Sequence, residues 1–178
     1  MTPPEPAAET IYVIDTSSIT EIRRQFSQLS KPELKSVYDK LSPLLNNGTL
    51  LFPIQVYQEL EYGKVSVKGP DDIPFEWISQ HRHRAIPDTN LFDHVRRVLE
   101  VAPNLVDSDK AHGADEADPW VVGLALSVIE TGYRVTVITE DRTDRLNKTS
   151  IRSACGLLNI PTISVVAFLQ FKRFVPGN

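Results

Sequence analysis

The chain has 178 residues, 41% hydrophobic and 24% charged, which is the composition of one globular domain with a sizeable core. Asp and Glu number 23 against 19 Lys and Arg, a net charge of −4 that argues against holding nucleic acid by bulk positive charge. It leaves nucleic acid open as a substrate, because a carboxylate-rich nuclease site itself costs positive charge.

Residues 1–9, rich in proline, offer little to bury and read as a disordered tail before a single domain at 10–178. Residues 11–14, Ile-Tyr-Val-Ile, are apolar on both faces, the pattern of a buried parallel strand, and end at Asp15. Ser18 and Glu21 have capping-box spacing and predict a short helix. Ser30 and Glu33 form a second such pair, followed by an apolar stripe at Leu34, Val37, Tyr38, Leu41, Leu44 and Leu45; Pro43 falls inside it, and Gly48 ends it. Residues 50–52 predict a second strand, and Pro53 a helix carrying Val56, Glu59 and Leu60 and stopped by Gly63. A loop at 64–73 and helices near 74–84 and 90–101 make an extended helical region at about 64–113. Residues 104–117 read as a polar loop. Pro119 opens a helix that is apolar nearly all round and closes at Gly132, and residues 135–138 are the next clear strand. A helix near 149–158, a strand near 162–166 and a last helix complete an alternation that predicts an α/β chain with a parallel sheet.

Cys155 is the one cysteine, so there is no internal disulfide and no cysteine-built zinc site, and a reducing cytoplasm is the expected compartment. No apolar run approaches the ~20 residues of a membrane helix, so no membrane partner is expected. The four histidines have no zinc-binding context, and Trp77 and Trp120 read as core or interface.

In parallel sheets, ligands bind beyond the carboxyl ends of the strands. One strand ends at Asp15, and another runs through Thr139 into Glu140 and Asp141. Asp118 starts the buried helix, where a plain N-cap is the competing reading, and Glu59 lies on the helix after strand two, where a surface acid is. Brought together, such carboxylates repel and call for a hard cation, Mg²⁺ or Mn²⁺.

The segments Tyr12-Val13-Ile14-Asp15-Thr16-Ser17, Val56-Tyr57-Gln58-Glu59-Leu60, Ala117-Asp118-Pro119-Trp120 and Val137-Ile138-Thr139-Glu140-Asp141 resemble a PIN domain, the nuclease fold of VapC-type toxins. The Ala-Asp-Pro motif and the long stretch from 63 to 113 are similar to a PIN-like branch with no settled function. The resemblance implies a three-layer α/β/α fold with four to five parallel strands. It implies a metal-dependent endoribonuclease using Asp15, Glu59, Asp118 and either Glu140 or Asp141, with metal on Asp15, Asp118, Asp141 and Glu140. Thr16, Ser17 and Thr139 would be accessory, as would Asp115 if it is more than a loop acid. Arg142 and Arg145 would meet RNA phosphates, with Lys148 and Arg152 as further candidates. The implied partners are RNA, an antitoxin protein and a second copy of the chain. The alternative is a catalytically silent binding or scaffold module. A receiver domain would want paired acids after the first strand, and no Walker-type phosphate loop is present.

Overall fold

A computed structural model describes residues 9–66, 72–107 and 116–175. The expected tail before residue 9, part of the 64–73 loop and Asp115 lie outside these described residues. Strand β1 (Thr10–Ile14) is followed by helix α1 (Thr16–Gln25), α2 (Lys31–Asp39) and α3 (Ser42–Asn46). Then come β2 (Leu50–Leu51), α4 (Ile54–Ser66), α5 (Ile73–Gln80) and α6 (Phe92–Val101). Helix α7 (Asp118–Glu130), β3 (Arg134–Ile138), α8 (Ile151–Leu157), β4 (Thr162–Ile163) and α9 (Val165–Phe171) close the chain.

The four strands form one all-parallel sheet in the order β2-β1-β3-β4, flanked by helices as a three-layer α/β/α fold. Parallel neighbours need long crossovers, and the intervening helices supply them. From β1 the chain moves outward to β2, and from β3 it moves the opposite way to β4. The adjacent carboxyl ends of β1 and β3 are therefore the topological switch point, where open α/β sheets bind ligands. Ile14 pairs with Ile138, which brings Asp15 and Thr139 to that edge at one level.

Helix α7 packs on β1 and β3 with α6 and α8 beside it, while α1 packs against α9, α4 and α5. Buried side chains from every layer share one core, with Val13, Ile14, Val137 and Ile138 fully covered in the sheet. Trp77 is buried, and its indole N–H donates to Ser42 Oγ at 3.1 Å.

Several boundaries differ from the pattern read in the sequence. Helix α1 opens at Thr16 rather than near Ser18, because the Asp15 carboxylate, not Ser18, caps it. Pro43 splits the expected long helix: α2 ends at Asp39, and Pro43 sits in the first turn of α3, where its missing N–H is harmless. Helix α4 continues through Gly63 to Ser66. Ile86 donates to Phe52 C=O at 2.9 Å and accepts from Ile54 N–H at 3.0 Å, so the chain after α5 returns to the β2 edge. Strand β4 stops at Ile163 because Ser164 caps α9, accepting from Ala167 N–H at 3.1 Å. Among the described residues, no helix is long and apolar enough to cross a membrane.

Candidate active site at the β1–β3 edge

Asp15 follows β1 directly and is 2% exposed. Its Oδ1 accepts the Ser18 N–H at 2.8 Å, and its Oδ2 accepts the Ser17 and Thr139 hydroxyls at 2.7 Å each. The same carboxylate is thus a helix cap and the anchor of two side chains. Burial pushes its pKa up to about 6, against the pull of those hydrogen bonds. Thr139 continues the connection: its hydroxyl accepts the Asp141 N–H at 3.0 Å.

Glu59 reaches from α4 to the same edge. One of its oxygens accepts the Thr16 hydroxyl, and the other accepts the Ala117 N–H at 2.9 Å. It therefore ties α1, α4 and the start of α7 together. Asp118, in the first turn of α7, is mostly buried, and burial pushes its carboxyl up to about 7. Glu59 and Asp141 push the same way, and the Lys148 ammonium opposes them. Glu59 and Asp141, from two other elements, thus both act on Asp118 through space.

The two acids after β3 separate cleanly. Asp141 Oδ2 accepts the Ile151 N–H at 2.9 Å at the start of α8, and Asp141 acts on both Asp118 and Lys148. Glu140 turns the other way. It accepts the Val165 N–H at 2.7 Å at the start of α9 and pairs with Arg142 at 2.9 Å. Of the two, Asp141 faces the cluster, and Glu140 is a helix-end and surface partner. The chain bends at Glu140 after β3 has ended, and the two carboxylates reach the starts of different helices, α9 and α8.

The structure adds two residues that the sequence reading left out of the cluster. Lys148, considered as an RNA contact, is instead buried, with its Nζ 2.5 Å from Asp118 Oδ2 and 3.4 Å from Glu116 Oε2. Burial lowers its pKa, but the carboxylates of Asp118, Glu116 and Asp141 outweigh this and hold the ammonium charged. Glu116 is 4% exposed and also accepts the Asp107 N–H at 3.1 Å. Its partner lies 32 positions away, so nothing local in the sequence marks either residue.

Arg145 and Arg142 are exposed on the loop after β3, with Arg142 engaged by Glu140. A cleft of about 770 Å³ opens beside Glu59, lined by Thr16 and Glu59 and by Arg23 and Arg24 further along α1. Cys155 is buried, and its thiol is pushed up to about 12, chiefly by burial.

Among the described residues, no three His, Cys, Asp or Glu side chains are disposed as a formed metal-holding group. The donors nevertheless fit a hard cation in kind: they are carboxylate oxygens, and Asp118 and Asp141 each use one oxygen in the contacts above, leaving the second. Asp15 fits less well, since both of its oxygens are taken by hydrogen bonds.

A family described as a domain of unknown function, DUF4411, matches residues 12–175, a span that holds every residue of this cluster. The chain belongs to the DUF4411 family. No curated protein and no solved structure matches it.

Proposed function

We propose that this DUF4411 chain is a metal-dependent ribonuclease of the PIN type. The observation that carries the reading is the meeting of Glu59, Asp118 and Asp141, from three different elements, at the switch point of a parallel sheet. Gathering like charges around the mostly buried Asp118 is costly, and a carboxyl raised by burial and by neighbouring acids at a sheet's switch point is a candidate functional group. Asp118 and Asp141 would hold Mg²⁺ or Mn²⁺, with Glu59 completing the acidic rim. Such an ion, when bound, supplies a polarised water and a counter-charge for the phosphodiester.

The chain's own residues do the rest. Glu59 fixes the start of α7 through Ala117, and so fixes where Asp118 stands. Thr139 sets the Asp141 backbone against Asp15. Exposed Arg145, and Arg142 once released from Glu140, are the phosphate contacts on the adjoining loop. The cleft lined by Thr16 and Glu59 gives a single strand room to lie beside the Glu59 side of the cluster, with Arg23 and Arg24 along it.

The test is cleavage of a mixed single-stranded RNA pool with Mn²⁺ or Mg²⁺, against chelator. Wild type should cut only with the ion. Asp118→Asn and Asp141→Asn should each lose at least ~100-fold, on the scale of one electrostatic group removed from a transition state. Equal cleavage by folded variants and wild type refutes the reading.

The second reading is a binding or scaffold module without catalysis. The observation favouring it is Lys148, which already balances Asp118 and Glu116. Intact RNA under all conditions, together with no uptake of metal, is the outcome that selects it.

A further inference from the structure

Lysines in polar loops keep their ammonium in water. Lys148 does not: its side chain is 8% exposed, and the nitrogen lies between Asp118 and Glu116. Asp141 adds its charge to the same nitrogen, and Glu59 acts on Asp118. One ammonium thus faces three carboxylates, Asp118, Glu116 and Asp141, with Glu59 behind Asp118 as a fourth acid of the cluster.

The backbone beneath this side chain is fixed. Arg145 N–H donates to Lys148 C=O at 2.9 Å and Lys148 N–H to Arg145 C=O at 3.2 Å, while Thr149 N–H donates to Asn104 C=O at 2.8 Å. The Ser150 N–H and hydroxyl both donate to Asp144 at 2.8 Å. The four-carbon stem above this frame is flexible. Its loop neighbours are open to solvent, Leu146 being 99% exposed. None of these bonds involves the ammonium, so its displacement toward water would leave the loop's backbone frame in place.

We propose that Lys148 is a resident counter-cation that competes with a divalent ion for Asp118. The inference rests on the metal-dependent reading above. Ammonium and hard cation are drawn to the same carboxylate, and their own charges repel, so each weakens the other's hold on Asp118 even though Lys148 contacts only one of its oxygens. With the lysine in place, the four acids are held together without an ion. On this proposal ion binding displaces the lysine, which makes metal affinity a property of a side chain outside the ligand set.

The experiment is calorimetric titration of the full chain with Mn²⁺, comparing wild type, Lys148→Met and the double variant Lys148→Met/Glu116→Gln. The double variant removes one charge of each sign and guards against the loss of fold that an unpaired buried carboxylate can cause. Thermal unfolding in the same buffers verifies the fold. Both folded variants should bind Mn²⁺ at least tenfold more tightly than wild type. Equal or weaker binding overturns the competition and leaves the metal reading standing. No binding by any of the proteins overturns the metal reading and the inference together. A second measurement needs no variant. On Mg²⁺ addition to wild type, the Lys148 ε-methylene NMR signal should move to the position of solvated lysines. A signal that stays in place while Mg²⁺ binds overturns the proposal.

Discussion

Thr139 shows how much one hydroxyl can organise. It is 1% exposed, donates to Asp15 Oδ2 at 2.7 Å and accepts from Asp141 N–H at 3.0 Å. Thr139→Val keeps the shape and deletes both bonds. Asp15 then stays buried with one donor fewer, and the Asp141 N–H loses its acceptor. A buried polar group left without a partner costs ~1–3 kcal/mol, so denaturant unfolding should show a loss of that size, and Thr139→Ser should restore most of it. An unchanged midpoint in Thr139→Val would mean the two bonds carry no net stability. The same geometry qualifies Asp15→Asn as a probe of metal binding. An amide keeps one acceptor oxygen and turns the other position into a donor, so the Ser18 N–H and the Ser17 and Thr139 hydroxyls cannot all keep their acceptor. Asp118→Asn is the cleaner probe in this respect, because Asp118 caps no helix through its side chain.

At the level of elements, the close approach of α6 and α7 depends on Gly123. A Cβ built there meets Val95 Cγ2 at 2.8 Å and Val95 N at 3.2 Å. The side-chain carbon can rotate away; the backbone nitrogen cannot. Gly123→Ala should therefore force α6 from α7 and destabilise the chain by ~1–3 kcal/mol, the range for overpacking. It should also reduce any cleavage, since α7 carries Asp118 in its first turn. A variant as stable as wild type would show that the two helices separate freely. The elements themselves were largely legible. Residues 11–14 read as a strand because their run is apolar on both faces and 135–138 because theirs is β-branched, while Ser30-Lys31-Pro32-Glu33 read as a helix start from capping-box spacing, and Glu33 Oε2 does accept the Ser30 N–H, at 2.8 Å. The boundaries that moved did so through partners distant in sequence or through a neighbouring cap. Ser164 ends β4 early by capping α9, and Asp15 opens α1 before Ser18 can. In the candidate site, strand-end acids were visible as residue types in sequence order. Choosing Asp141 over Glu140 needed the side chains' directions. Lys148 needed its partners at 116 and 118, which only the folded chain brings within reach.

The whole molecule gathers its acids through topology, and this has a consequence for stability against pH. The order β2-β1-β3-β4 brings the ends of β1 and β3 together, and so buries Asp15 and Asp118 near one edge. Both carboxyls are raised from the ordinary 3.8, to about 6 and about 7. The folded chain therefore keeps protons on these groups that the unfolded chain has already released. Their contribution to stability is fully present below 3.8 and is lost as pH rises through about 6 and then about 7. Carboxyls held below their ordinary range act in the opposite sense. Glu33, bonded by Ser30, and Asp144, bonded by Ser150, contribute stability above their ordinary values and lose it in acid. The two effects occupy different windows, so the interval from pH 5.5 to 7.5 belongs to the buried pair. Thermal unfolding without divalent ions should give a higher Tm at pH 5.5 than at 7.5, and Asp118→Asn should flatten the difference. Saturating Mn²⁺ should reverse the trend, because metal binds ionised carboxylates and stabilises the state it binds. A wild-type Tm that rises across this interval without metal would show that the acids at the β1–β3 edge are not held above their ordinary values.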